Sequence, residues 1–332
     1  ELICRDEREI RLLRTMYRKA RVATRRTCVP HSIAYEWIEK GSPPSSSPGP
    51  TTQERMALFA EHARPLATDA SSRALDHAGI SGADITHLIT VSCTGFDAPG
   101  VDIHLFDQLG LPNTTQRLHI GFMGCHGAIN GLRAARGLVA ADPKAKILLC
   151  AVELCSLHFK FQWDPERMLG NALFADGAAA LVLGNNETTD EVIYKVRDTG
   201  SCLLEDSRDA ITWNIGDAGF DMSLSNRVPD LISEQLKPWL TAWLAARGHT
   251  IESVALWAVH PGGPRILNAV EESLGLHSDA LSTSRAILND YGNMSSPTVL
   301  FVLQRFLEQK VTGPCVLLGF GPGLMAEVAL LE

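Results

Sequence analysis

The sequence predicts a layered α/β fold. Segments 146–154 (KILLCAVEL) and 177–184 (GAAALVLG) are near-continuous apolar runs of strand length, the pattern of strands covered on both faces. Helix-like and strand-like stretches alternate through both halves, in a shared order of strand, reactive loop and helix. Reactive side chains follow strand ends at Cys125 and His260, where layered α/β folds gather their sites. The common layout is that of a duplication, although the two halves differ strongly in sequence.

In chain order, residues 5–21 are charged and read as helix. The segment 41–52, GSPPSSSPGPTT, is an irregular connector. Residues 53–79 read as a helix that Pro65 kinks or splits. ITHLITVSC (85–93) is a strand, and VDIHLFDQLG a short helix closed by Gly110. LHIGFM is the next strand, with HGAINGLRAARGLVA the helix behind Cys125, followed by the two apolar strands. In the second half, DLISEQLKPWLTAWLAARG is a helix with a glycine stop and SVALWAVHP a strand ending at His260. PRILNAVEESLG and SSPTVLFVLQRFLEQ are helices, and CVLLGFG and LMAEVALL closing strands.

The 332 residues are 45% hydrophobic and 20% charged, ordinary for an enzyme of one large two-part domain or two joined ones. A formal net charge of -8 argues against nonspecific nucleic-acid binding. No span has the length of a transmembrane helix. The opening ELICRDERE carries no secretory signal and reads like an interior start. None of the eight cysteines forms a CxxC pair, so zinc knuckles and thioredoxin chemistry are not expected. Free thiols in a reducing cytoplasm are the simplest expectation.

LHIGFMGCHGA (118–128) reads as a buried strand, a tight glycine turn, a cysteine and a helix start. This holds Cys125 at a sharp corner, where a helix N-terminus favours its anion. Condensation between thioesters needs a nucleophile to hold the growing acyl chain, donors for the enolate left when malonyl loses carbon dioxide, and exclusion of water. Cysteine suits the first role, because a thioester stays reactive. A nearby histidine draws off the thiol proton, and histidine with an asparagine amide donates to a thioester oxygen as charge develops there. The candidates are Cys125, His260 in WAVHPGG and Asn293 in YGNMSSP, and the chemistry needs neither metal nor organic cofactor. Spacing alone leaves a plainer reading open, in which His260 is structural and Asn293 a turn residue.

GFMGCHGAINGL, NALFADGAAALVLG, WAVHPGGPRIL, NDYGNMSSPTVLFVL and GFGPGLMAE resemble, in this order, the type III polyketide synthases, the chalcone synthase-like branch of the thiolase superfamily. The resemblance runs from about residue 20 to the C-terminus. It implies a thiolase-like duplicated five-layer αβαβα fold, with residues 1–190 carrying the cysteine and 191–332 the histidine and asparagine. It also implies a homodimer that uses coenzyme A thioesters, a starter acyl-CoA and malonyl-CoA, usually without a carrier protein and with no tightly bound cofactor. Cys125 then resembles the acylated nucleophile, and His260 and Asn293 the pair that promotes malonyl decarboxylation. Phe174 resembles an aromatic gatekeeper where the coenzyme A tunnel meets the cavity, an apolar wall that disfavours a carboxylate. GFGPG (319–323) lacks the spacing of a nucleotide loop. In the family it shapes the chamber, which puts Gly321 and Pro322 on the wall, with Ser295 beside them.

Several positions depart from the plant pattern and point to a microbial member. The second gatekeeper phenylalanine is Met222, which admits longer chains. Trp213 stands for a plant glycine and blocks part of the same volume. His158, Cys155 and Cys93 replace cavity threonines. Arg26 falls where a family arginine meets coenzyme A phosphates, with Arg25 alongside; the family lysine four residues on has become Pro30. The expected activity is an acyltransferase that extends a starter on Cys125 and closes a pyrone or resorcinol-type ring. The alternatives are a single-condensation β-ketoacyl synthase III-like enzyme and an inactive thiolase-fold acyl-CoA-binding protein.

Overall fold

The computed structural model describes residues 3–30, 32–40, 49–161, 163–185 and 194–332. The first half comprises α1 (Glu7–Ala20), α2 (Ile33–Lys40), α3 (Thr52–Ala78), β1 (His87–Ser92), α4 (Val101–Leu109), β2 (Gln116–Gly121), α5 (Gly127–Ala141), β3 (Lys146–Leu154), α6 (Pro165–Leu173) and β4 (Asp176–Gly184). The second comprises β5 (Val196–Leu203), β6 (Ile211–Gly216), β7 (Gly219–Leu224), α7 (Val228–Ala245), β8 (Leu256–Val259), α8 (Pro264–Leu274), α9 (Ser282–Tyr291), α10 (Thr298–Glu308), β9 (Cys315–Gly321) and β10 (Met325–Leu331).

Two four-stranded sheets form, with strand orders β2-β1-β3-β4 and β5-β10-β9-β8. In each, a parallel pair (β1 with β3, β8 with β9) continues into an antiparallel neighbour (β4, β10). The repeat in topology is what the shared layout of the two halves anticipates.

Strand alternation builds the layers. On β3, Ile147, Leu149 and Ala151 face one core, with Ile129 and Leu132 of α5, Val299 and Val302 of α10, and Leu317 and Ala329 of the second sheet. The alternate residues Leu148, Cys150 and Val152 pack instead against Phe59 and Ala63 of α3 and Leu105 of α4. On the second sheet Val316, Leu318, Val328 and Leu330 turn outward to Leu236 and Leu240 of α7 and Leu267 and Val270 of α8. The order is therefore helix, sheet, the buried pair α5 and α10, sheet, helix: the thiolase-type αβαβα architecture. Both central strands are apolar on successive residues because each face meets a helix layer.

Pro65 does not split its helix. α3 runs unbroken for 27 residues, from a Thr51–Glu54 capping box to Gly79. Pro65 and Glu61 lie on the exposed face, where water reaches the carbonyl that loses its amide partner. Ala63 and Ala67 keep the inner face packed. The connector expected over 41–52 lies, from 41 to 48, outside the described residues. Sequence reading overlooked α2, α6, β5, α9 and the β6–β7 hairpin. β5, β6 and β7 mix partly buried and exposed residues with few fully buried ones, and polar side chains interrupt the apolar signal. Among the described residues no helix is long and apolar enough to cross a membrane.

Leu149 is fully buried in the central layer. Leu149→Ala is expected to cost about 2–5 kcal/mol, because removing the side chain leaves a cavity that the flanking helix and sheets cannot fill. A fall in the denaturant midpoint at unchanged slope checks this.

Candidate active site

Three loops converge on one chamber. β2 leads through Phe122 (φ 57°) and Gly124 (φ 72°) into a single tight turn, Gly124–His126, that carries Cys125 to the start of α5. Only glycine fits at 124, since a Cβ there would lie 2.5 Å from Pro322 Cδ. His260 follows β8, its amide held by the Leu318 carbonyl at 2.7 Å. Asn293 enters from the loop between α9 and α10. Its backbone bridges the end of α6: Asn293 N–H donates to Leu173 O at 2.8 Å, and Ala175 N–H to Asn293 O at 2.9 Å. The segment carrying Phe174 is thereby tied to the segment carrying Asn293.

Side-chain hydrogen bonds orient the asparagine. Its Oδ1 accepts from Ser295 N–H at 2.8 Å, which leaves Nδ2 aimed at Cys125 Sγ, 4.0 Å away. His260 lines the same cavity, is buried, and among the described residues has no hydrogen-bond partner on either ring nitrogen. Burial pushes His260 down to about 3, helped by the nearby His126 ring. Burial likewise pushes the Cys125 thiol up to about 11; the Ser295 hydroxyl lowers it, Glu153 raises it, and the Asn293 amide lowers it. Desolvation thus favours a neutral imidazole and a neutral thiol in the empty chamber.

The cavity, of about 100 Å³, contains all three of these residues. Phe174, Cys93, Cys155, His158, Ser295, Trp213, Met222, Gly321 and Pro322 line it as well, so every candidate pocket residue reaches one space. Trp213 and Met222 are direct cross-strand partners on the β6–β7 hairpin. The indole is pinned, since Nε1 donates to Cys93 O at 2.6 Å. The two departures from the plant pattern therefore form a single wall, fixed on the tryptophan side and supple on the methionine side. Gly321 lets β9 approach closely, as a Cβ there would lie 2.5 Å from the His126 ring.

Not every candidate has a free polar group. His158 Nε2–H donates to Thr94 O at 2.6 Å while Nδ1 accepts from Phe220 N–H at 3.0 Å. Burial pushes His158 down to about 3, so it is a neutral ring stacked 4.2 Å from Phe220. It serves as wall, with both nitrogens committed. Arg25 donates to the carbonyls of Asn171 and Phe174 and lies 5.3 Å from the Tyr17 ring. Its Nη1 braces the segment that carries Phe174. Arg26 is exposed, and its carbonyl accepts from Asp176 N–H at 2.9 Å. Neither arginine lines the cavity.

Sequence reading overlooked Glu153. This fully buried carboxylate accepts from Cys93 N–H at 2.9 Å, Thr94 Oγ1 at 2.7 Å, Ser92 Oγ at 3.2 Å and Ser296 Oγ at 2.6 Å. Burial raises its pKa, and the hydroxyl donors act against that. A lone acid at the end of an apolar strand was the available signal, since such a group is rarely buried without partners. Phe220 was also missed, because the hairpin that carries it was. Among the described residues no three His, Cys, Asp or Glu side chains are grouped to hold a metal ion.

Known proteins share this fold. Residues 3–187 match the N-terminal domain of chalcone and stilbene synthases, and residues 196–332 the C-terminal domain. The chain is 35% identical over 324 residues to the alpha-pyrone synthesis polyketide synthase-like Pks18 of Mycobacterium tuberculosis, covering 96% of this chain and 81% of that protein. The crystal structure of PKS-I from the brown alga Ectocarpus siliculosus superposes with a TM-score of 0.88 at 33% identity, covering 97% of this chain and 89% of that one. For 1,3,6,8-tetrahydroxynaphthalene synthase from Streptomyces coelicolor, a bacterial type III polyketide synthase, the TM-score is 0.89 at 30% identity, with 99% and 91% covered. The chain belongs to the chalcone and stilbene synthase family. It is a type III polyketide synthase, an acyltransferase that condenses malonyl-CoA units with loss of carbon dioxide.

His260→Ala is expected to slow iodoacetamide alkylation of Cys125 at neutral pH by about tenfold or more, because the chamber loses its proton acceptor. With the thiol pushed up to about 11 by burial, the variant's rate should climb steadily with rising pH. A rate unchanged from the parent at neutral pH would remove His260 from thiol activation.

Proposed function

We propose that Cys125 carries the growing chain while His260 and Asn293 act on the thioester carbonyl of the extender. The Cys125 thiol attacks the starter acyl-CoA; its proton passes by way of His260 to the departing coenzyme A thiolate. Malonyl-CoA then loses carbon dioxide, and the electron pair becomes an enolate whose oxygen accepts from His260 Nε2–H and Asn293 Nδ2. The enolate carbon attacks the acyl-Cys125 carbonyl, the carbon–sulfur bond to Cys125 breaks, and the chain is left on coenzyme A, two carbons longer. Its return to Cys125 permits another round or closure to a pyrone or resorcinol-type ring.

The observation that carries this reading is the Asn293 amide aimed at the Cys125 sulfur in a chamber shared with an unpartnered imidazole. A neutral, desolvated His260 suits the role, since it donates without a standing charge that would hold the malonyl carboxylate. Phe174 acts as the apolar gate, and exposed Arg26 as a contact for coenzyme A phosphates. Residues 1–190 and 191–332 serve as two thiolase-like halves that meet around the chamber. A homodimer is supported by β2, an edge strand with exposed Leu118, near exposed Met123 and Phe96. The buried thiols of Cys93, Cys150, Cys155 and Cys315 suit a reducing compartment such as the cytoplasm.

Cys125→Ala should abolish chain extension, by about a thousandfold or more, while coenzyme A binding survives. His260→Ala and Asn293→Ala should each lower malonyl-CoA decarboxylation by about 10²–10³-fold. Polyketide formation by the first variant, or unaltered carbon dioxide release by the others, overturns the assignment. Trp213→Gly should shift products toward larger starters or more extensions, read by mass spectrometry from a panel of aromatic, short and long aliphatic acyl-CoAs.

A further inference from the structure

Burial leaves the Cys125 proton with nowhere favourable to rest. The thiol is pushed up to about 11 and His260 down to about 3, so a thiolate beside a charged His260 is strongly disfavoured. A further imidazole stands next to both groups. His126 follows the nucleophile in the turn Gly124–His126 and is 3% exposed. Its ring is close enough for its charge to lower the pKa of His260.

The fold makes room for this ring. Gly319 and Gly321 of β9 flank it: a Cβ at 319 would lie 3.2 Å from His126 Cβ, and one at 321 would lie 2.5 Å from both Cδ2 and Nε2. The same strand carries Leu318, whose carbonyl holds the His260 amide at 2.7 Å. Both imidazoles are thus seated on the end of β9. One turn along α5, Asn130 Oδ1 accepts from His126 Nδ1–H at 2.7 Å. That bond fixes the tautomer, with the proton on Nδ1 and the lone pair on Nε2. Among the described residues Nε2 makes no hydrogen bond. A phenyl ring would fill the cleft with no polar atom to satisfy, so an imidazole there carries a cost that packing does not offset.

The surroundings of His126 suit it to hold a proton. Burial lowers its pKa; the Asn130 bond acts against that, and the Arg133 charge adds to it. Arg133, on α5, is itself paired with buried Glu327 of β10. Across the turn stand Cys125 and His260, and Glu153 acts on Cys125 from behind. Gly319 and Gly321, the flanking residues of β9, carry no ionisable group. His260 has no bond comparable to that of His126 with Asn130 among the described residues. We propose that His126 is a positioning residue that acts through His260, receiving the proton displaced when Cys125 becomes a thiolate. The Cys125 S–H bond breaks, and its proton goes to His260 Nε2. The proton on His260 Nδ1 moves to His126 Nε2. His260 ends neutral with its proton on Nε2, the form that donates to a thioester oxygen. The positive charge rests on His126, whose Nδ1–H stays on Asn130 Oδ1. When coenzyme A departs as a thiolate, the protons return in reverse order and neutralise it. The proposal rests on the roles proposed for Cys125 and His260.

The test follows iodoacetamide alkylation of Cys125 against pH by mass spectrometry, in the full chain. His126→Phe should slow alkylation at neutral pH by about tenfold and move its midpoint up by about one pH unit. Asn130→Asp should do the opposite, speeding alkylation several-fold at about pH 6, because a carboxylate on Nδ1–H strengthens His126 as a base. In a His260→Ala background, His126→Phe should change the rate less than about twofold, since its route to the sulfur is gone. Circular dichroism checks folding, and Asn130→Asp decides the question where His126→Phe does not fold. A parent-like profile for His126→Phe, shifts of the same sign from both substitutions, or a full further loss in the His260→Ala background overturns the relay. Where His260→Ala itself alkylates at the parent rate, the role of His260 fails and the relay with it. Where His260→Ala is slowed but His126→Phe and Asn130→Asp match the parent, the relay alone fails.

Discussion

A single buried carboxylate holds the chamber together. Glu153 sits at the end of the central strand β3 and accepts hydrogen bonds from Ser92, Cys93 and Thr94 at the end of β1, and from Ser296 in the loop that delivers Asn293. It thus joins two strands of the first half to a loop of the second. A carboxylate removed from water is costly unless donors surround it, and four donors do so here. Its partners are accordingly held in position: Cys93 is fixed under the Trp213 indole, and Ser295, next to Ser296, fixes the Asn293 amide.

The same dryness that makes Glu153 dependent on its donors sets the state of the reactive groups. His260 and Cys125 are each driven toward neutrality by desolvation. In the proposed reaction the chamber presents hydrogen-bond donors that cost nothing to reorganise when an enolate forms, and a sulfur whose anion depends on a proton leaving for the imidazole. His158 shows the contrast: equally buried, but with both nitrogens committed to backbone groups, it has no proton to give. Two buried histidines in one cavity differ because one has both nitrogens bonded while the other, among the described residues, has no partner.

The segment that carries Phe174 links the chamber to the surface. Phe174 is bracketed by Asn293 through a backbone bridge and by Arg25 through its carbonyl. α1 packs on the same segment. The hairpin wall opposite is held by Trp213, whose cross-strand partner Met222 adds a thioether side chain to the same wall.

Apolar runs and motif order made the αβαβα layers legible, because strands covered on both faces must be apolar on successive residues, as β3 and β9 are. They also made Cys125, His260 and Asn293 legible, since each follows a recognisable strand or glycine turn. The elements that escaped are half-exposed and polar, like β6 and β7, whose pairing only the folded chain reveals. The charge of Arg25 is visible in sequence, whereas the carbonyls its Nη1 serves belong to a segment about 150 residues away. The sequence by itself determined the layers, through periodicity, and put forward the candidate reactive groups, through residue chemistry and motif order. Only the tertiary structure decided which polar atoms are spoken for, because hydrogen-bond partners and desolvation depend on distances between segments far apart in the chain.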